Sequence, residues 1–253
     1  MSSILKAFKK DLTKVKKALD RLDLRRSELT FDNSNEQHYV LHGLYCSLLE
    51  YTYTSITLAL NHHTAVQAHV IRSYLECYAY FENLLKDEDY LLQIKFNTCT
   101  QDIRTLTEAI KFEMGDIEKK RELVDKWTED QRALSKIGVR KQTIEDRFKN
   151  ADMVFQYDGL YRSLSAHVHN GISAIETRHI HEEAGQLIHS VKKKQSTGDS
   201  IREAISYVKI LFFGIILATD NLRLFLSTDE TKEYLFLKEK CLDVHQRLTN
   251  YTR

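Results

Sequence analysis

The chain of 253 residues carries 37 basic and 36 acidic side chains with 11 histidines, a balance that excludes coating nucleic acid by bulk charge while allowing a local basic surface. Proline is absent and glycine occurs only 8 times, so almost nothing interrupts long helices. The expected fold is one all-α domain over residues 1–253, a helical bundle of about eight to ten helices.

Residues 3–26 set Leu5, Phe8, Leu12, Val15, Leu19 and Leu22 at spacings of three and four among lysines and arginines. This predicts a basic amphipathic N-terminal helix within residues 1–30, with Lys9, Lys10, Lys16 and Lys17 as candidates for binding RNA or a partner, or as a solvated face. The segment has no uninterrupted apolar core of the secretory type, so a cytoplasmic location is expected, with no membrane partner. The cluster from Thr30 to Asn35 then offers Ser34 or Asn35 as an N-cap.

From Glu36 to Asn61 and from Thr64 to Lys86 the chain is apolar on more than one side, which predicts an antiparallel helical hairpin in the core. Within it Arg72 and Glu76 stand at i, i+4, positioned to pair on one helix face. Residues 86–150 read as a charged helical insertion or arm of two or three surface helices containing Trp127, leaving 36–86 and 151–226 as the core bundle. Glu176 to Lys194 is expected to be a further helix, carrying His179, His181 and His189 and ending in Lys192, Lys193 and Lys194, a second candidate basic patch. Ser200 and Glu203 read as a capping box opening the longest apolar helix, to about Leu226. Its most apolar run, Ile210 to Ala218, is nine residues, too short to span a bilayer and suited to a buried helix. Ser227 and Glu230 read as a second capping box before a last helix to about Leu248. Cys46, Cys77, Cys99 and Cys241 are scattered among helix formers and predict neither a disulfide framework nor a zinc ribbon.

The densest chemistry lies in Tyr161-Arg162-Ser163-Leu164-Ser165-Ala166-His167-Val168-His169-Asn170-Gly171. At about 100° per residue, Arg162, Ser165 and His169 fall on one helical stripe and His167 points to the side. A guanidinium, a hydroxyl and an imidazole suit a phosphate-handling site, and they equally suit a buried hydrogen-bond network. No glycine-rich phosphate loop and no nucleophile elbow is present, and the metal-like patterns are His38 with His42, adjacent His62 and His63, and the run His179 to Glu183. No cofactor and no metal is assigned.

Arg162 to His167 is an R-x4-H element and Arg162 to His169 an R-x6-H element, which resemble the R-x(4–6)-H signature of the HEPN superfamily of all-helical prokaryotic domains. Over roughly residues 38–170 the chain is also similar to an uncharacterised bacterial helical family sharing R-S-x-x-E and Y-x-x-L-S-x-x-x-H, matched by Arg72, Ser73 and Glu76 and by Tyr161, Leu164, Ser165 and His169. The resemblance implies a HEPN-like core and metal-independent RNA cleavage in a toxin or antiviral-defence effector. Arg162 would stabilise phosphate charge and His169 or His167 would transfer protons. Ser163, Ser165, Tyr161, Arg72 and Glu76 would give support. A homodimeric site and an antitoxin or defence-system partner are implied with it. The chain departs from the signature in having Ser163 after the arginine, where Asn, Asp or His is common, and His169 where some toxins carry a modified tyrosine. The alternatives are a non-catalytic helical module that binds RNA or protein, and a helical metalloenzyme using His38, His42 and the 179–183 cluster.

Overall fold

The computed structural model describes residues 3–32, 34–61, 63–168, 180–183, 186–189, 197–228 and 231–249. The protein is an all-α helical bundle. Helix α1, Ser3–Leu24, buries Leu12, Val15, Leu19 and Leu22 and runs into a 3-10 turn at Arg25–Glu28. Its apolar face is therefore spent on the bundle, while Lys10, Lys16 and Lys17 are exposed and Lys9 half-buried. Helix α2, Glu36–Leu60, starts where the Asn35 side chain accepts from the His38 backbone N–H at 3.1 Å, the second of the two candidate N-caps.

Helix α3, Thr64–Lys86, returns antiparallel to α2. Gln37 near the start of α2 donates to the carbonyl of Leu84 near the end of α3 at 2.7 Å, and Gln67 near the start of α3 donates to Ser55 Oγ at 2.8 Å. The expected charged arm is smaller than residues 86–150. Helix α4, Tyr90–Lys111, buries Tyr90, Leu91, Gln93 and Phe96 in its first turns and pairs with α5, Ile117–Lys136, which buries no residue. Gln131 donates to Thr100 Oγ1 at 2.6 Å across that pair. Helix α5 closes on Gly138 at φ +93°, where the Val139 and Gly138 amides donate to the carbonyls of Leu134 and Ser135, a left-handed stop that glycine adopts without strain. Helix α6, Ile144–Asn150, opens on a capping box of Thr143 and Asp146 and drives fully buried Phe148 into the core, so it belongs to the bundle and not to the arm.

After the short α7, Val154–Gln156, a π-helical turn at Tyr157–Tyr161 leads into α8, Arg162–Val168. The helix expected over 176–194 is corrected by its described residues. Strands β1, Ile180–Glu183, and β2, Gln186–His189, pair antiparallel with Ile180 opposite His189 and Glu183 opposite Gln186. Gly185 weakens a helix here by about 1 kcal/mol, and Ile180 and Ile188 favour the extended chain.

Helix α9, Thr197–Phe225, begins before Ser200, so that residue lies inside the helix and does not cap it. Its Ile205, Val208, Leu211, Phe212 and Ile215 are wholly buried against α2, α3 and α10. Over Arg202–Phe225 it is long and apolar enough by composition to cross a membrane, and 50% of its most apolar window is buried within the bundle. Ser227 and Thr228 close α9: Ser227 adopts φ +50° and the amides of Ser227 and Thr228 donate to the carbonyls of Leu224 and Arg223. The last helix, α10, Lys232–Thr249, is capped instead by Thr231, whose Oγ1 accepts from the Tyr234 amide at 3.2 Å.

The core holds many protonated acids whose ionisation folding opposes. Burial pushes the Tyr45 and Tyr90 phenols up to about 12 from an ordinary 10, and the Cys77 and Cys241 thiols up to about 12 from 9. Above their ordinary values the unfolded chain loses these protons while the folded chain keeps them, so deprotonation drains stability as pH rises. Thermal melts should show this contribution intact below about pH 9 and lost progressively towards about pH 12.

Candidate functional site

Phe148 is the anvil on which the site is built. Its ring lies 5.0 Å from that of Tyr161 and 5.5 Å from that of Tyr157, and those two tyrosines stack on each other at 5.6 Å and 17°. The π-helical turn that carries both tyrosines is a local departure from α geometry of the kind found often at functional positions. It turns Tyr161 inward, to 4% exposure, towards α3.

There the Tyr161 hydroxyl joins the two residues of the Arg-Ser-x-x-Glu motif. Arg72 Nε donates to it at 3.1 Å and it donates to Glu76 Oε1 at 2.6 Å, while Arg72 Nε and Glu76 Oε1 lie 3.2 Å apart. The Arg72 guanidinium carbon also sits 5.4 Å from the Tyr161 ring centre. The arrangement is a latch: a phenol accepts from a cation and donates to a carboxylate, tying α8 to α3 across 89 residues of sequence. Burial, reinforced by the hydrogen bond to Glu76 and opposed by Arg72, pushes the Tyr161 phenol up to about 12, so it remains a donor at neutral pH. Tyr161→Phe removes one charge-assisted bond on each side. The expected loss is about 1.5–3 kcal/mol, readable by urea denaturation, because both partners keep partial access to water.

One residue further on, Arg162 points outward with its side chain 69% exposed. Asp158 on the preceding turn lies 3.5 Å from its Nη1, a long single contact between exposed groups and therefore weak. Ser163 is exposed, Leu164 buried and Ser165 half-buried, so the polar stripe is only partly a surface feature. His167 lies on the last turn of α8, and His169, with the Asn170-Gly171 stop, falls outside the described residues, as do Lys192, Lys193 and Lys194. The structure thus brings Tyr161, Arg72 and Glu76 together and sets Arg162 and Ser163 on the opposite, solvent side. Lys9, Lys10, Lys16 and Lys17 ride on α1, which packs on α2, α9 and α10, whereas α8 packs on α3.

Beside the latch lies a polar layer that no local sequence pattern announces. Arg147, 8% exposed, stacks over the Tyr80 ring at 3.8 Å, and its backbone carbonyl accepts from Asn83 Nδ2 at 3.0 Å. Its Nε is buried without a hydrogen-bond partner among the described residues. Asp158, the carboxylate nearest Arg162, is not among the expected site residues, although its i, i+4 spacing to Arg162 is visible in the chain.

Of the histidines of the metal alternative, His38 and His42 have other occupations. His38 Nδ1 accepts from the Asp32 amide at 3.1 Å and His42 stacks on Phe31 at 4.4 Å. Among the described residues no group of three or more His, Cys, Asp and Glu is placed to hold a metal ion.

Fold and site together define an all-α bundle in which an Arg-Ser-x-x-Glu helix is latched to a Tyr-x-x-Leu-Ser helix. The chain belongs to a family of unknown function, DUF5677, whose sequence profile matches residues 38–187 and so spans both motif helices. No curated protein and no solved structure gives a significant match.

Proposed function

We propose that the protein is a HEPN-like, metal-independent endoribonuclease, a cytoplasmic toxin or antiviral-defence effector acting as a homodimer. The observation that carries this reading is the posture of Arg162: an exposed guanidinium on a helix whose other side is locked by Tyr161 to Arg72 and Glu76. An arginine serving only a buried network would be sealed, whereas a phosphate-binding one must face solvent and yet be held still. In the proposed reaction a ribose 2′-oxygen bonds to the adjacent phosphorus as the bond to the 5′-oxygen breaks, leaving a 2′,3′-cyclic phosphate and a 5′-hydroxyl. His169 or His167 moves the proton, Arg162 holds the charge building on the phosphate oxygens, and Ser163 or Ser165 orients the strand. Phosphate displaces Asp158 readily, because that contact is long and solvent-exposed.

The test is incubation of purified protein with end-labelled RNA in EDTA. Fragments ending in cyclic phosphate are expected, and intact RNA at every protein concentration that supports dimers would reject the reading. A second reading, a non-catalytic module binding RNA or a partner such as an antitoxin, draws on α5, a charged helix that buries nothing. RNA retained on the protein without cleavage, and released by charge reversal on α5, would favour it.

A further inference from the structure

A groove of about 490 Å³ is lined in part by Gly159 and Leu160 of the π-helical turn and by none of Arg72, Tyr161 and Glu76. It runs along α9, where Lys209, Phe213 and Leu217 follow at four-residue steps on one helix face, a length of about 12 Å from first to last. Tyr78 and Leu160 form walls, and Gly214 forms part of the floor. A side chain at Gly214 would collide with the hydroxyl of Tyr74, so the glycine is what keeps the floor low. The phenols along the groove bring rings and not free hydroxyls. Tyr74 donates to the Leu211 carbonyl at 3.2 Å, and the hydroxyl of Tyr78 is bonded to Glu82.

Charge is confined to one end. Lys209 makes no ion pair among the described residues, and no carboxylate lines the groove. Beside it the His245 ring stacks on Phe213 at 4.9 Å, and burial, with the Lys209 charge, holds its imidazole below the ordinary histidine range. An ammonium with no ion pair among the described residues, at the head of an apolar trough, is complementary to an anion that carries a hydrocarbon tail. The volume lies within the range of small-ligand pockets, about 300–1,000 Å³. The geometry points to a binding site for an amphipathic carboxylate, head group at Lys209, tail along Phe213 towards Leu217. The site is independent of the ribonuclease reading.

Calorimetric titration with sodium decanoate, and separately with decan-1-ol, both below their aggregation limits, tests the assignment. Saturable one-to-one binding of decanoate is expected, at least fivefold tighter than the alcohol. Lys209→Met should bring decanoate down to the affinity of the alcohol and leave the alcohol unchanged, and Leu217→Trp, which fills the far end, should weaken both. Absence of saturable decanoate binding to the unaltered chain would overturn the proposal, as would equal affinity for acid and alcohol. So would a dimer at assay concentration that Phe155→Asp dissociates. Phe155 is 85% exposed on the lip, and that result would assign the groove to a second copy of the chain.

Discussion

Phe148→Ala is expected to destabilise the protein by about 3–5 kcal/mol, the largest effect of any single change near the site. The ring is wholly buried and packs at a tilt against both Tyr157 and Tyr161, so its loss removes apolar transfer energy and leaves a cavity between α6 and the π-helical turn. That turn relaxes poorly into the space, because Tyr161 is held from its far side by Arg72 and Glu76. Phe148→Leu, which keeps much of the volume, should lose about 1–1.5 kcal/mol. Phe155→Ala, with the same chemistry on an 85% exposed ring, should move stability by no more than about 0.5 kcal/mol. Urea denaturation of the three variants checks the order. A Phe148→Ala loss near that of Phe155→Ala would show that α6 does not anchor the tyrosine pair.

Much of the architecture was legible because it rests on local periodicity. Leu12, Val15, Leu19 and Leu22 announce α1, Asn35 announces the start of α2, and the spacing of Arg72 and Glu76 announces their pairing. Two capping boxes misled for a physical reason: Ser, Thr and Asp serve helix ends of both kinds. Ser227 and Thr228 finish α9 instead of opening α10, and Ser200 follows a start already made at Thr197. The paired strands 180–183 and 186–189 are not legible because their few alternating residues sit in a stretch whose charge and length also suit a helix.

The candidate site was legible only in part. Arg162 and Ser163 could be named from residue type, but the inward turn of Tyr161 depends on a π-helical turn that shifts every later side chain around the axis. No spacing rule for an α-helix contains that shift. The Arg147 layer under Tyr80 is likewise a long-range product of α6 packing on α3, invisible in the chain around it.

Arg162→Ala should abolish most RNA cleavage, by about 10²–10³-fold, while changing stability by no more than about 0.5 kcal/mol. The two halves of that expectation have separate causes. The guanidinium is 69% exposed and, among the described residues, holds only a 3.5 Å contact with Asp158, so the fold loses almost nothing with it. A phosphate gaining charge as it is attacked would lose its fixed donors, and solvent replaces them poorly. Arg162→Lys should fall between, since an ammonium keeps the charge but not the planar fork that matches two phosphate oxygens. Tyr161→Phe supplies the contrast: it should lower stability by the amount given for the latch and reduce cleavage only through the position of α8, so its loss of rate should be smaller than that of Arg162→Ala. Single-turnover cleavage and urea denaturation measured on the same preparations separate these cases. If Arg162→Ala lowers stability by more than about 2 kcal/mol and leaves cleavage untouched, Arg162 is a structural residue and the catalytic reading fails.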